Sequence, residues 1–165
     1  MKKRRTWISC LMLVCLLSLP LTAYAWSGEV VGITDGDKIT VLNGKTLKDV
    51  KIRLYGIDTP ERGQAFGKKA KQFTSGMVFG KVVEVHRMDT DRYGRTVALV
   101  SVDKQLLNKE LVKAGLAWVY DRYCSEPICE SWRNFQLRAR MDKRGLWADS
   151  ERIPPWEFRR KKRSR

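Results

Sequence analysis

The sequence predicts an α+β protein built on a small β-barrel. Five segments have strand patterns and three have helix patterns, in the order three strands, one helix, two strands and two helices. A closed barrel is favoured because closure removes the unpaired edges of a short sheet. The 165 residues suffice for one domain with a single core. This length and composition exclude a multidomain protein, a polytopic membrane protein and a wholly disordered chain.

The first three strands are predicted between residues 30 and 55. Apolar residues at 30–33 and 39–41 flank a turn at 35–37. Asn43-Gly44 is a pair that favours tight hairpins, so it separates the second strand from the third. In the third, apolar and polar residues alternate from 50 to 55, which indicates one buried face.

The remaining elements follow from changes in apolar spacing. Steps of four, three and four between apolar residues predict a helix from Gln64 to Phe79, which Gly80 ends. Residues 81–87 and 97–102 predict the fourth and fifth strands, with a turn at 91–94. Two helices complete the order, and their apolar positions are Leu107, Leu111 and Ala114 for the first and Ile128, Trp132, Phe135 and Ala139 for the second.

Residues 1–25 have the pattern of a secretory signal peptide. A basic stretch at 2–5 precedes an apolar run at 8–21, and an Ala-x-Ala sequence suits Sec-type cleavage after Ala25. The run contains Pro20 and is shorter than the ~20 residues that span a bilayer as a helix. We therefore expect a secreted or periplasmic mature chain without stable membrane insertion. An uncleaved N-terminal anchor is the alternative.

The positive charge is concentrated at the two ends of the chain. The formal net charge is +15, from 33 basic and 18 acidic residues. Four of the basic residues lie in the predicted signal and six in residues 159–165, which leaves +5 for the body at 26–158. We assign the body to one folded domain and 159–165 to a basic tail, either solvated or binding phosphate. The net positive charge favours an anionic partner, either nucleic acid or a membrane surface, but it does not distinguish the two.

The mature chain keeps two cysteines, Cys124 and Cys129. In an exported protein such a close pair most simply forms a local disulfide. A zinc site is the alternative, but it needs two more ligands and His86 is the only histidine.

Three polar segments are the candidates for chemistry: residues 35–37, 53–61 and 91–95. Each lies at a strand end or in the adjoining turn, where a scaffold can hold side chains toward a cleft. Taken singly, each has an ordinary explanation as a turn, a helix N-terminus or a surface arginine.

Phosphodiester hydrolysis explains the three segments together. The reaction needs a hard cation held by carboxylates, arginines for the phosphoryl oxygens and a carboxylate to accept a proton from water. The segments supply Asp37 and Asp58 for the metal, Arg53 and Arg95 for the phosphate, and Glu61 as the base.

In this order and in these strand contexts, the segments resemble the staphylococcal nuclease (thermonuclease) family. The resemblance covers roughly residues 28–147 and continues through the predicted helix at 106–117. It implies an SNase-like OB-fold, a five-stranded β-barrel with three α-helices. It also implies an enzyme that uses one calcium ion to hydrolyse DNA and RNA, largely independently of sequence, leaving 3′-phosphate ends. We expect a monomer.

The resemblance assigns roles by position. Asp37 and Asp58 match calcium-binding carboxylates, and the main-chain carbonyl of Thr59 matches a further ligand. Arg53 and Arg95 match the phosphate-contacting arginines, and Glu61 matches the general base.

Two tyrosines are candidates for substrate contact. Tyr93 lies in the segment where the family contacts nucleotide. Tyr120 could stack on a base or touch a phosphate, and a half-buried core tyrosine is the alternative. The sequence departs from the family at Lys38, where Thr is common, so we expect altered metal affinity with activity retained.

Two other functions are compatible with these residues. A non-catalytic OB-fold nucleic-acid-binding module would use the same groove, but the retention of all three acids and both arginines favours a nuclease. A protein that binds polyanions or the cell envelope would act through the basic tail alone.

Overall fold

The computed structural model describes residues 25–164, so the predicted signal, apart from Ala25, lies outside the described residues. The strands are β1 (Ala25–Asp35), β2 (Lys38–Asn43), β3 (Asp49–Leu54), β4 (Ile57–Asp58), β5 (Val82–Thr90), β6 (Thr96–Val102), β7 (Gln105–Leu106) and β8 (Trp118–Val119). The α-helices are α1 (Gly67–Val78), α2 (Leu107–Lys113), α3 (Ile128–Met141) and α4 (Pro155–Arg163). No helix in this range is long and apolar enough to cross a membrane.

The five long strands form a closed barrel. Antiparallel pairing runs in the order β3-β2-β1-β5-β6, and β3 closes the circle by pairing in parallel with β6. The predicted α+β OB-fold is therefore confirmed. The helix count differs by one, because α4 was not predicted. Its nine residues include five basic ones, and they show no apolar period by which a helix could be recognised.

The turn between β1 and β2 places an acid at the head of a barrel strand. Asp35 pairs with Lys38 across the turn. A Cβ at Gly36 would lie 2.8 Å from the Cβ of Ala70, and the Gly36 carbonyl accepts a hydrogen bond from the Thr74 hydroxyl at 2.6 Å. Only glycine lets the turn pack this closely on α1, which fixes the position of the next residue, Asp37.

A buried asparagine fastens α2 to the closing seam of the barrel. Asn108 Nδ2 donates to the carbonyls of Tyr55 at 3.0 Å and Ala98 at 3.3 Å, and its Oδ1 accepts from the Val100 N–H at 3.2 Å. The side chain is fully buried. One amide side chain thereby joins the end of β3, β6 and α2.

Helix α1 begins three residues later than the apolar spacing predicts. Gln64 Oε1 accepts from the Glu61 N–H at 3.0 Å, and its carbonyl accepts from the Gly67 N–H at 3.0 Å. Gln64 therefore belongs to a loop, held by local hydrogen bonds, that carries Glu61 ahead of the helix.

Candidate active site

Two buried carboxylates lie side by side at one end of the barrel. Asp37 is the second residue of the β1–β2 turn, and Asp58 is the last residue of β4. Each is 1% exposed. The Thr59 N–H donates to Asp37 Oδ2 at 2.7 Å, so the two acid-bearing segments are joined directly. Charges buried to this extent require compensating partners.

Arg53 supplies one of these partners. Its Nη2 donates to Asp58 Oδ1 at 2.7 Å and to the Ile57 carbonyl at 3.1 Å, while Nη1 contacts Asp37 Oδ2. Burial lowers the pKa of Arg53 from its usual value, and the charges of Asp58 and Asp35 oppose that shift. Arginine nevertheless keeps its proton in proteins, so Arg53 is a fixed cation between the two acids.

Glu61 and Lys38 extend the cluster toward solvent. Lys38 Nζ lies 2.6 Å from Asp35 Oδ2, 3.8 Å from Glu61 Oε2 and 4.0 Å from Asp37 Oδ1. The Glu61 side chain is 20% exposed, so water reaches it, whereas Asp37 is sealed off. The structure thus brings together Asp37, Arg53, Asp58 and Glu61, with Lys38 beside them.

A third cation, Arg159 of α4, lies at the site, and the sequence does not predict it there. Its Nη2 lies 2.7 Å from Asp58 Oδ2, and its Nη1 lies 3.1 Å from Asp58 Oδ1 and 2.5 Å from Glu61 Oε1. Burial alone would lower the pKa of Arg159, but the hydrogen bonds and charges of Asp58 and Glu61 outweigh it and raise that pKa. The sequence assigns Arg159 to the basic tail, because nothing in that run of charges distinguishes it from its neighbours.

Aromatic packing brings Arg159 to the site. The Trp156 ring stacks on Tyr120 with centroids 4.7 Å apart and planes 9° apart, and its edge meets Trp118 at 5.7 Å. Residues three apart share a helix face, so docking Trp156 turns Arg159 toward Asp58. Tyr120 is half-buried in this stack, and its contact with substrate stays a prediction.

Arg95 and Tyr93 lie at the β5–β6 turn, where the ion-pair partner of Arg95 is Asp91. Arg95 Nε and Nη2 are each 2.6 Å from Asp91 Oδ2, and the guanidinium lies 5.4 Å from the centroid of the exposed Tyr93 ring. In the parallel β3–β6 pair, Val97 lies opposite Arg53. Strand alternation then places Arg95 on the same face as Arg53, about 7 Å along the strand.

The predicted disulfide between Cys124 and Cys129 is confirmed, with an S–S distance of 2.01 Å. The disulfide loop packs against the segment that carries Asp58. Gly56 has φ +69°, and a Cβ there would lie 2.5 Å from Cys124 Sγ. The Tyr55 hydroxyl accepts hydrogen bonds from the N–H groups of Ser125 and Glu126 at 3.0 and 3.2 Å. The cystine loop therefore backs the segment that carries Asp58.

The donor set suits a hard divalent cation. Asp37 Oδ1 is buried without a hydrogen-bond partner, as expected of an oxygen available to a metal. Calcium takes six to eight oxygen ligands, including carboxylates, carbonyls and water. Within residues 25–164, no three His, Cys, Asp or Glu side chains are arranged as a metal site. Calcium here would therefore rely on Asp37, Asp58, a main-chain carbonyl and water.

The barrel and its cluster of arginines and carboxylates define an OB-fold protein of the nuclease class. A family model described as staphylococcal nuclease homologue matches residues 51–149. The chain is therefore a member of the staphylococcal nuclease family, as its motifs indicate.

Full-length relatives agree with this assignment. The chain is 39% identical to an uncharacterized endonuclease of Haemophilus influenzae, over 99% of this chain and 89% of the relative. It is 37% identical to a micrococcal nuclease of Shigella flexneri, over 89% and 87%. It is also 38% identical to protein ParB of Escherichia coli, over 99% and 97%.

Proposed function

We propose that the protein is an exported, calcium-dependent nuclease that hydrolyses DNA and RNA and leaves 3′-phosphate ends. One observation carries the proposal: Arg53 is bound to both Asp37 and Asp58, with Glu61 beside them at the open end of the barrel. Family membership and relatives named as nucleases support it.

The carboxylates account for the metal requirement. Asp37, Asp58 and the Thr59 carbonyl would hold one calcium ion. When bound, calcium would neutralise charge on the substrate phosphate and favour attack by water. Burial of both acids keeps competing water away from them and strengthens their interaction with a cation.

The arginines bind the phosphate. Arg53 is held rigidly by Asp58 and the Ile57 carbonyl, so its direction is set before substrate arrives. Arg95 lies on the same face of the closing strands and is anchored through Asp91. Forked donors in these places match phosphoryl oxygens and stabilise the charge that develops on them.

Glu61 is placed to act as the base. As a water oxygen forms its bond to phosphorus, the water proton passes to the Glu61 carboxylate. The bond from phosphorus to the 5′ oxygen breaks, and that oxygen takes a proton from solvent. The phosphate remains on the 3′ oxygen. Partial exposure allows Glu61 both to meet the water and to lose the proton again.

A cleavage assay tests the proposal. Single-stranded DNA, duplex DNA and RNA are incubated with the mature chain in calcium and then with a chelator. We expect calcium-dependent cleavage of all three and termini that become extendable only after phosphatase treatment. Glu61→Gln should lower kcat by about 100-fold or more, whereas Glu84→Gln, an exposed change on β5, should not.

Two results would contradict the proposal. Binding of nucleic acid without cleavage would favour the OB-fold binding module. Cleavage that survives the chelator would exclude the calcium mechanism. Export is tested separately by N-terminal sequencing of the periplasmic or secreted protein, which should begin at Trp26.

A further inference from the structure

Arg159 occupies the carboxylates that a metal ion would use. Both oxygens of Asp58 and one of Glu61 accept hydrogen bonds from its guanidinium. Arg53 already donates to Asp58 Oδ1. A divalent cation bound to Asp58 would therefore lie against Arg159, and two cations at contact distance in a buried site repel strongly.

The charge of the cluster also favours one of the two cations, Arg159 or the metal ion, over both together. Four acids and three bases give a net charge of −1: Asp35, Asp37, Asp58 and Glu61 against Lys38, Arg53 and Arg159. A divalent ion added to this set would raise the net charge to +1. If Arg159 left, the same ion would bring the net charge to zero.

Helix α4 is attached in a way that allows it to leave. Pro155 is its only fully buried residue, and the barrel core contains none of its side chains. Its attachments are the contacts of Trp156 with Tyr120 and Trp118, the half-buried Phe158 ring that lines a cavity with Trp118, and the ion pairs of Arg159. Residues 160–164 are exposed. Undocking would break these contacts without opening the barrel.

We propose that Arg159 and the divalent cation occupy the Asp58–Glu61 carboxylates alternately, so that α4 is an internal gate on metal binding. The inference rests on the proposed function, because it concerns the same metal site. In the closed state, in which α4 is docked and no metal is bound, Arg159 balances the charge of the acids and forms a hydrogen bond with Glu61. Metal binding releases Arg159, which frees Glu61 and undocks α4. Because linkage is reciprocal, weakening the Arg159 contact tightens metal binding.

Calorimetric titration with CaCl₂ tests the gate without reference to activity. We expect Arg159→Ala to lower the calcium Kd by about tenfold, the equivalent of one charge-assisted contact. The matched control is Arg160→Ala, which removes the same charge from the next, exposed position and should change the Kd by less than about twofold. An unchanged or higher Kd in Arg159→Ala would overturn the gate.

Hydrogen exchange supplies a second measurement. Saturating calcium should speed amide exchange in α4 of the wild-type chain and leave α3 unchanged. In Arg159→Ala, α4 should exchange rapidly even before calcium is added. Exchange in α4 that is the same with and without calcium would contradict the gate.

The two proposals fail in different ways. A wild-type chain that cleaves nucleic acid with calcium, combined with an unchanged Kd in Arg159→Ala, overturns the gate and leaves the nuclease intact. A chain that neither binds calcium nor cleaves overturns both. Circular dichroism checks that each variant is folded.

Discussion

Lys38 and Arg53 both lie beside Asp37, but they contact the acids of the site in different ways. Arg53 is directed by two hydrogen bonds from its Nη2, to Asp58 and to the Ile57 carbonyl. Lys38 is held by Asp35, and its ammonium only approaches Asp37 and Glu61 at 4.0 and 3.8 Å. Arg53 therefore organises the acids, whereas Lys38 acts on them mainly through its charge.

Replacement of Lys38 by Thr should strengthen calcium binding. Loss of a cation 4.0 Å from Asp37 Oδ1, an oxygen of one metal carboxylate, removes a repulsion of about 1 kcal/mol at high dielectric, so we expect the Kd to fall by about fivefold. Calorimetric titration measures the change. Lys51→Thr, an exposed substitution on β3, is the control. An unchanged Kd would show that Asp35 already neutralises Lys38.

At the same scale, the sequence predicts which residues form the site better than it predicts their ion-pair partners. The spacing and strand contexts of Asp37, Arg53, Asp58 and Glu61 indicate a common site, and the structure brings the four together. The ion pair of Arg159 could not be predicted, because a single arginine within a basic run carries no pattern. Only the aromatic residue three positions earlier, Trp156, gives a local sign that this segment packs.

Among the elements, the turn from β5 to β6 owes its shape to one aspartate. Asp91 Oδ1 accepts from the N–H groups of Tyr93 and Arg95 at 2.9 and 3.0 Å, and Oδ2 accepts from Arg95 Nε at 2.6 Å. Burial alone would raise the pKa of Asp91, but these hydrogen bonds outweigh it, so the pKa lies below its usual value of 3.8.

Asp91→Asn should therefore destabilise the fold in a pH-dependent way. Because the folded pKa is depressed, the stabilisation is complete above pH 3.8 and is lost as pH falls through the folded pKa. We expect a loss of about 1 kcal/mol near pH 7 and a smaller difference below pH 3.8. Urea unfolding at several pH values measures it, with the exposed change Asp49→Asn as control. A difference that grows as pH falls would contradict the assignment.

Elements with strong periodicity were predicted well, and short or charged ones were not. The long barrel strands and α1–α3 follow from apolar spacing. The strands β4, β7 and β8 have two residues each, too few to show any period. Helix α4 begins after Pro154, with Pro155 in its first turn, and consists largely of basic residues. Its position depends on tertiary contacts that the sequence does not display.

At the scale of the whole molecule, the barrel is closed by one parallel pairing. Residues 52–54 of β3 join residues 96–98 of β6, and the remaining barrel pairs are antiparallel. Asn108 bonds to both sides of this seam, to the Tyr55 carbonyl and to Ala98 and Val100. The seam thus depends on a polar side chain inside an apolar core.

Removal of that side chain should be costly. Asn108→Ala leaves buried backbone groups without partners and creates a cavity, so we expect a loss of about 3 kcal/mol in the free energy of unfolding. Denaturant unfolding measures this loss. Asn134→Ala, an exposed substitution on α3, should cost less than about 0.5 kcal/mol. Equal stability of both variants would show that the seam does not depend on Asn108.

The parallel seam also has a kinetic consequence. The residues paired across the seam are far apart in the chain, so the seam requires closure of a long loop, as the β1–β5 pairing does. The seam strand β3 carries Arg53, and β6 follows directly after Arg95. Asp37 and Asp58 come together only when the adjoining turns are in place. We therefore expect a nascent or partly folded chain in which the seam has not formed to hold the reactive groups apart and to be unable to cut nucleic acid.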